Sequence, residues 1–406
     1  MSPSRRSSGT GAGAPPRRTA SSGFFLSLLR FIDGERSGAV AIPALSIFFT
    51  LIATSLLFLT LGKNPAVAMA AFLRGSGFMM KGSYAGGQNM LTDFLSFLGI
   101  MTPMLLGALS VLVGLKTGMF NIGVAGQMLA AGFLATILVG YTDLPPWIAR
   151  PLVILTGIAV GALMGALVGF LKYRFNIHEV VSTIMFNNII SYVTGFYINS
   201  YFVDSITRSS RPVSAAARLT LTGLSWGRLR PTIPLGIVLA LGAAVLVRFL
   251  LDRTCLGFEI KAVGLNREAA RYAGMREGRS IILGMICSGV LAGLAGVCYY
   301  LGYYNTMVPK TLATAGYDAI AVALLGNTNP GAAVFASILV TIFQKGSIYM
   351  SSSVKVPGEI ASVITGILLL FCACGSFVRY KARVRLDRIG AAPASRAGDD
   401  AERGEG

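Results

Sequence analysis

Residues 252–279 read DRTCLGFEIKAVGLNREAARYAGMREGR, a polar island between two apolar runs, Pro231–Leu251 and Ser280–Leu301. The island holds Arg253, Lys261, Arg267, Arg271, Arg276 and Arg279 against Asp252, Glu259, Glu268 and Glu277, in a chain where charged residues are only 13%. Asn266 suits the cap of a helix that begins at Arg267, because an Asx side chain accepts from the free amides of the first turn. Gly274 suits the turn that ends it. The stretch is therefore read as a connection between two membrane spans, with a short amphipathic helix of about two turns lying at the membrane surface. Such a helix offers a partner protein a docking surface.

The composition agrees with that frame. The 406 residues are 54% hydrophobic, and the mean hydropathy is +0.67. Charged residues are about half as common as in soluble domains. Several apolar stretches reach the ~20 residues that crossing a bilayer core requires. The expected fold is an all-α polytopic transmembrane bundle of about ten hydrophobic segments, two of them short and broken. The net charge of +18 fits Lys and Arg gathered at cytoplasmic ends, without nucleic acid as a partner. Cys255, Cys287, Cys298, Cys372 and Cys374 have no disulfide-framework spacing. Cys372-Ala373-Cys374 lies in an expected span with no His beside it and reads as small apolar filler, so no metal site is expected.

Residues 1–36 form a basic tail, and the Ser-, Gly-, Pro-, Ala- and Arg-rich part to residue 23 cannot build a core. It has no cleavable-signal layout, and Arg5, Arg6, Arg17, Arg18 and Arg30 assign it to the cytoplasm. A transmembrane domain at 37–378 follows, then a basic-then-acidic cytoplasmic tail at 379–406. The expected spans are Val40–Leu61, Thr92–Leu115, Met119–Val139, Leu152–Leu171, Val180–Tyr201, Thr232–Leu251, Ile281–Leu301 and Ile360–Phe377, with Gly62–Leu91 external. Gly157, Gly161, Gly165 and Gly169 recur every fourth residue and let another helix approach closely. Between Ala313 and Lys345, Ala313–Leu325 and Gly331–Phe343 are apolar pieces separated by Gly326-Asn327-Thr328-Asn329-Pro330. They are either two short tilted spans or a re-entrant pair broken at membrane depth.

With the N-terminus inside, this order puts Lys172 and Arg174, the 252–279 loop and the C-terminal basic tail on the cytoplasmic side. Phe202–Arg230 is the exception: it carries Arg208, Arg211, Arg218, Arg228 and Arg230 against Asp204 and falls outside. It is either a loop translocated whatever its charge or a landing surface for acidic residues of an external binding protein, with Arg208, Arg211 and Arg218 as the contacts.

Three further runs carry polar residues into the apolar segments. Gly118-Met-Phe-Asn-Ile-Gly-Val-Ala-Gly-Gln-Met128 places Phe120, Asn121 and Gln127 at a glycine-rich helix start, as packing glue or as the wall of a polar solute path. His178-Glu-Val-Val-Ser-Thr-Ile-Met-Phe-Asn-Asn-Ile189 contains the chain's single histidine, read as a capping residue, and places Asn187 and Asn188 within solute reach. Gly316-Tyr-Asp-Ala-Ile-Ala-Val-Ala-Leu-Leu-Gly-Asn-Thr-Asn-Pro330 carries Asp318, either a functional acid or a helix cap. Gly114-Leu-Lys-Thr117 lacks the Gly-Lys adjacency of a P-loop, and no Ser/His/Asp or metalloprotease constellation lies on the spans. No catalytic residue is expected.

Glu268-Ala269-Ala270 followed by Gly274 resembles the EAA-x-x-x-G loop of bacterial ABC importer permeases. The wider run from Gly257-Phe258 to Met275 is similar to the version in permeases for sugars, nucleosides and branched-chain amino acids. The 118–128 run resembles the FNIGVEGQ signature of the nucleoside-type branch, with Ala125 in place of its Glu. The 178–189 run is similar to the HEV-x-x-TIM-x-N run of the larger of that branch's two permease subunits, and the 316–330 run to its DAIAVALLG segment. The resemblance implies a permease of the bacterial cytoplasmic membrane with both termini inside. It would pair with a second, non-identical permease, two ATPase subunits and an external solute-binding protein, among membrane lipid. The chain itself binds no cofactor, and ATP is used by the partner ATPase. Asn266, Arg267, Glu268, Ala269, Ala270 and Gly274 would couple to that ATPase. Phe120, Asn121, Gln127, Asn187, Asn188 and Asp318 would line the path. The cargo implied is a nucleoside; a ribose-like sugar, or a transporter working without ATP, is the alternative.

Overall fold

The computed structural model describes residues 35–84, 88–221, 231–374, 377, 380, 381 and 384–386. Most of the basic N-terminal tail, Arg228 and Arg230, and the acidic C-terminal end lie outside the described residues. The chain divides into two units, Leu45–Ala373 and a smaller one made of Met1–Ala44 with Cys374–Gly406. In the smaller unit residues 35–44 are helical, and the Lys381 ammonium lies 5.5 Å from the centre of the Phe377 ring.

The larger unit is a polytopic bundle of helices. In chain order they are α1 (Glu35–Thr60), α2 (Pro65–Gly75), α3 (Met90–Lys116), α4 (Val124–Ala135), α5 (Pro146–Phe175), α6 (Glu179–Tyr197) and α7 (Gly236–Arg253). The polar 252–279 stretch holds α8 (Cys255–Leu265) and α9 (Arg267–Tyr272); then come α10 (Glu277–Cys298), α11 (Thr314–Leu325), α12 (Pro330–Val354) and α13 (Ile360–Ala373). Wider π turns extend α4 over Thr136–Gly140, α6 over Ile198–Phe202 and α10 over Tyr299–Tyr303. Two short strands, β1 (Thr220–Leu221) and β2 (Ile233–Pro234), pair antiparallel with Thr220 opposite Pro234. Among the described residues, Pro43–Thr60, Met90–Lys116, Pro146–Phe175, Glu277–Tyr303 and Pro330–Val354 are long and apolar enough to cross a membrane.

The two most buried spans, α3 and α10, form the centre. α3 starts at a capping box in which Asn89 Oδ1 accepts from Thr92 N at 3.0 Å and Thr92 Oγ1 accepts from Asn89 N at 2.9 Å. Two orphan amides are thereby satisfied at the point where the chain enters the bundle. Around α3 and α10 packs one apolar core that includes Leu105, Leu109, Leu112, Met128, Leu129 and Ala295. The glycine row of α5 faces α10. A Cβ on Gly157 would meet Val297 Cγ1 at 3.0 Å, and one on Gly169 would meet Ile282 Cα at 3.0 Å. The two backbones therefore touch along three helical turns, as the every-fourth-residue spacing requires.

Several elements differ from the sequence-based expectation. Gly62–Leu91 is not irregular throughout: it holds α2, capped by Asn64 with Pro65 in the first turn. The apolar residues of α2 were hidden by the glycine- and serine-rich sequence after them. Phe72 of α2 packs edge-on against Phe343 of α12 at 5.4 Å, and Ser76 Oγ donates to the Ile342 carbonyl at 3.1 Å. The third span starts as helix only at Val124, because Met119–Gly123 turns to bury Asn121. α5 begins at Pro146, ahead of the expected span Leu152–Leu171, since Pro is well suited to a first helical position. Ile233 and Pro234 belong to the β pairing and the helix starts at Gly236.

The broken region is asymmetric. α11 has 12 residues, but α12 runs for 25, well past Phe343. Gln344 and Lys345 read as the end of an apolar piece; in the fold both face polar partners within the helix, Asp318 and Ser96. The break therefore joins one short helix to one full-length helix, not two equal short pieces. Asn327 and Thr328 make the bend in left-handed conformation, with φ of 48° and 51°.

Candidate functional site

The polar loop folds into two helices, not one. Thr254 Oγ1 caps α8 by accepting from Gly257 N at 3.1 Å. Asn266 Oδ1 caps α9 by accepting from Ala269 N at 3.1 Å. Gly274 then leaves α9 with φ +80°, and a Cβ there would meet nothing within 4 Å. The requirement for glycine is thus conformational, not steric. α9 holds six residues, Arg267–Tyr272, including Glu268 and Ala269. Its one buried side chain, Ala270, belongs to a small cluster with Met119, Val168, Val263, Ile281 and Met285. Its other side is open: Tyr272 is 91% exposed, and Leu265, the last residue of α8, is 89% exposed.

The loop is tied to the spans next to the 118–128 run. A Cβ on Gly118 would lie 3.1 Å from Gly264 Cα of α8. The Arg267 guanidinium reaches Met119 Sδ at 3.8 Å. Two residues on, Asn121 is the hub of a buried polar knot. Its Nδ2 donates to Gln127 Oε1 at 3.1 Å and to Ser288 Oγ of α10 at 2.9 Å, while its Oδ1 accepts from Gly123 N at 3.0 Å. Ser288 Oγ in turn donates to the Ser110 carbonyl of α3 at 2.8 Å. Asn187 joins α6 to the same run: Oδ1 accepts from Gly126 N at 2.9 Å and Nδ2 donates to the Ile122 carbonyl at 3.1 Å. The glycines are necessary here, since a Cβ on Gly126 would sit 2.9 Å from Asn187 Cα.

The fold brings Asn121, Gln127 and Asn187 together and leaves the other path candidates elsewhere. Asn121, Gln127 and Asn187 are 0%, 2% and 3% exposed, so they face protein and not an open channel. Phe120 is half-buried against the main core. Asn188 is exposed and donates to the Ile184 carbonyl of its own helix at 3.1 Å. Asp318 lies one turn inside α11 and does not cap it; it accepts a hydrogen bond from Gln344 of α12. Ala125 is fully buried, and a Cβ on Gly316 would meet its Cα at 2.7 Å, so no glutamate side chain fits at that crossing. His178 caps α6, Nδ1 accepting from Val180 N at 3.3 Å, and Glu179 pairs with Lys172 at 2.8 Å.

The three arginines of the 202–230 segment part company. Arg208 is exposed, at φ 52°, beside a turn built on Asp204, whose Oδ1 accepts from Ile206 N at 3.1 Å. Arg211 is exposed, and its carbonyl accepts from Tyr141 OH at 3.1 Å. Arg218 is half-buried and lines a cavity of about 290 Å³ with Ser96, Gly99, Thr232, Tyr303 and Tyr304. Sequence reasoning passed over this cavity. Its signal was present, in the run Tyr299-Tyr300-Leu301-Gly302-Tyr303-Tyr304 at the end of a span.

Residues 94–373 match the family described as "Branched-chain amino acid transport system / permease component". The chain is 33% identical over 371 residues to the nucleoside ABC transporter permease protein NupB of Lactococcus lactis subsp. cremoris (strain MG1363), covering 89% of this chain and 97% of that protein. It is 34% identical over 348 residues to the guanosine ABC transporter permease protein NupP of Bacillus subtilis (strain 168), covering 85% and 96%. It is 27% identical over 310 residues to the glucose ABC transporter permease protein TsgB13 of Haloferax volcanii, covering 74% and 81%.

Proposed function

The chain belongs to the branched-chain amino acid transport system / permease component family, and on that premise we propose that it forms the translocation path of an ABC importer for nucleosides. The observation that carries the mechanism is the seating of α9. One side packs through Ala270 onto Met119, Val263 and Ile281, and Leu265 and Tyr272 remain exposed for a partner. In this reading Asn266, Arg267, Glu268, Ala269, Ala270 and Gly274 form the part that docks on a separate cytoplasmic ATPase. Closure of the ATPases moves α8 and α9. The movement passes through Gly118 and Met119 to the Asn121 knot, and so to α3, α4 and α10. Such an element couples only if the ATPase binds its two arrangements with different affinity.

The rest of the assembly follows from the same reading. A second, non-identical permease completes the path, and an external solute-binding protein delivers the cargo, with Arg208 and Arg211 as its contacts. Both termini lie in the cytoplasm of a bacterium, and the chain sits in the inner membrane. It hydrolyses nothing and holds no cofactor. The buried Asn121, Gln127 and Asn187 hold the helices that form the path in register.

The test is uptake of labelled nucleosides and, separately, labelled ribose by cells expressing the complete importer, with and without Gly274→Asp. The left-handed backbone at Gly274 favours glycine over a residue with a Cβ, and Asp adds a charge to the face that would dock. Nucleoside uptake lost in the variant is the expected result. Ribose uptake lost instead would keep the mechanism and move the substrate to a sugar, the second reading that similarity to a glucose permease favours. Uptake indifferent to the substitution would overturn coupling through this loop.

A further inference from the structure

The Tyr299–Tyr303 turn ends α10 in a cluster of aromatic rings set around open space. Tyr299 and Tyr304 have ring centres 4.9 Å apart, and Tyr303 and Tyr304 stand perpendicular at 4.8 Å. Tyr304 leaves the helix as extended backbone, is 46% exposed, and has a cavity on each side. One is the 290 Å³ space already described. The other, of about 190 Å³, is lined by Tyr299, Tyr300, Thr311 and Leu312. The larger is close to the low end of the roughly 300–1,000 Å³ that small-molecule sites occupy.

Its polar wall is already organised. Tyr303 and Ser96 line it together, and Ser96 Oγ accepts from Lys345 Nζ at 2.8 Å. The ring of Tyr303 rests over Gly99, where a Cβ would meet it at 3.3 Å. Across the cavity, Arg218 Nε is buried and has no hydrogen-bond partner among the described residues. Arg218 also lines the cavity, so an acceptor arriving with a solute can meet its guanidinium fork there. Arginine suits the carbonyl and ring-nitrogen acceptors of a base edge. Tyrosine faces suit the flat ring of any base, whatever its sequence of substituents.

We propose that the cavity between α3, the β1–β2 strand pair and the Tyr299–Tyr303 turn is a base subsite on the translocation path, where the Tyr303 and Tyr304 rings, edge to face with each other, form one aromatic wall against the base of a passing nucleoside and Arg218 donates to an acceptor on its edge. The inference rests on the nucleoside reading above. It explains why Tyr303 and Tyr304 border open space instead of filling it, with an arginine on the same cavity.

The experiment is concentration-dependent uptake of inosine, uridine, adenosine and ribose by proteoliposomes holding the complete importer, as wild type, Tyr304→Ala, Tyr304→Phe and Arg218→Gln. Tyr304→Ala is expected to raise the KM for nucleosides about tenfold, with Tyr304→Phe within about twofold of wild type, because stacking needs the ring and not the hydroxyl. Arg218→Gln is expected to shift the preference away from inosine and uridine, which carry ring carbonyls, relative to adenosine. A Tyr304→Trp importer gives a readout independent of transport: added nucleoside should quench its extra fluorescence saturably, and ribose should not. Nucleoside uptake with unchanged KM in Tyr304→Ala, or an indole signal in Tyr304→Trp that is blind to nucleoside, overturns the subsite and leaves the nucleoside reading intact. A wild-type importer that moves ribose and no nucleoside overturns both.

Discussion

Gly161 and Gly289 occupy each other's side-chain space. A Cβ on Gly161 would overlap the Gly289 carbonyl oxygen, and a Cβ on Gly289 would overlap the Gly161 carbonyl oxygen. The crossing of α5 on α10 is therefore set by backbone-to-backbone contact, and neither helix can retreat without opening the core around α10. Overpacking here should cost about 1–3 kcal/mol or more. Gly161→Val and Gly289→Val are expected to lower the thermal midpoint of the purified protein by several degrees. Gly242→Ala on α7, where a Cβ meets nothing within 4 Å, should leave the midpoint unchanged. Equal midpoints for all three would remove this crossing as the origin of the tight packing.

Asn121 has no equivalent substitute. Its amide bridges Gln127 and Ser288 while its carbonyl holds Gly123 N. Asn121→Ala strands those groups in a buried site, at a cost of about 1–3 kcal/mol for each group left unsatisfied. Asn121→Asp loses both donations and adds a buried charge, so it should be worse still. The check is the urea midpoint in detergent, with Asp below Ala below wild type.

Asn187 and Asn188 are neighbours in sequence with opposite roles. Asn187 ties α6 to Gly126 and Ile122, whereas Asn188 bonds its own helix at Ile184. Asn187→Ala should destabilise by about 1–3 kcal/mol, and Asn188→Ala should stay within about 0.5 kcal/mol of wild type. A double-mutant cycle is expected to be additive, because the two side chains share no partner. Equal losses at the two positions would refute the distinction.

α9 is too short to hold itself. Six residues cannot form a stable isolated helix, so its cap and Ala270 matter more than propensity. Asn266→Ala should cost about 1 kcal/mol of local stability, and Asn266→Asp much less. Hydrogen exchange at Ala269 and Ala270 reads the loss directly. If α9 docks on an ATPase, transport-coupled ATP hydrolysis should fall in Asn266→Ala and be retained in Asn266→Asp.

Lys345 shows how a polar residue misleads when read along the chain alone. It donates to Ser96 Oγ across the bundle at 2.8 Å. Lys345→Met leaves Ser96 with one partner fewer in a partly buried site, and a loss of about 1 kcal/mol is expected. Lys345→Arg should lie between the two, since the fork is larger than the space one ammonium occupies. The order of thermal midpoints tests it.

The features legible in the sequence were those decided within one or two turns of chain. The Asn266 cap, the left-handed Gly274, the His178 cap and the every-fourth-residue glycines of α5 are all local signals, because capping and helix-face periodicity depend on residues three or four apart. Apolar length marked the membrane class for the same reason. α8 and α2 were missed because short helices in polar surroundings leave little periodicity to read. α12 was cut short because Lys345 looks like a boundary until its partner is known.

Composition and hydropathy by themselves determined that this chain is a helical membrane protein, and its short motifs determined the family it resembles. Only the tertiary structure decided that Gly161 meets Gly289, that Asn121 bonds Ser288, and that Arg218 of the 202–230 segment lines a cavity with Tyr303 and Tyr304. Each of these joins residues from well-separated segments of the chain. Hydrogen-bond satisfaction and close packing at such distances depend on how the helices cross, and no local pattern encodes a crossing.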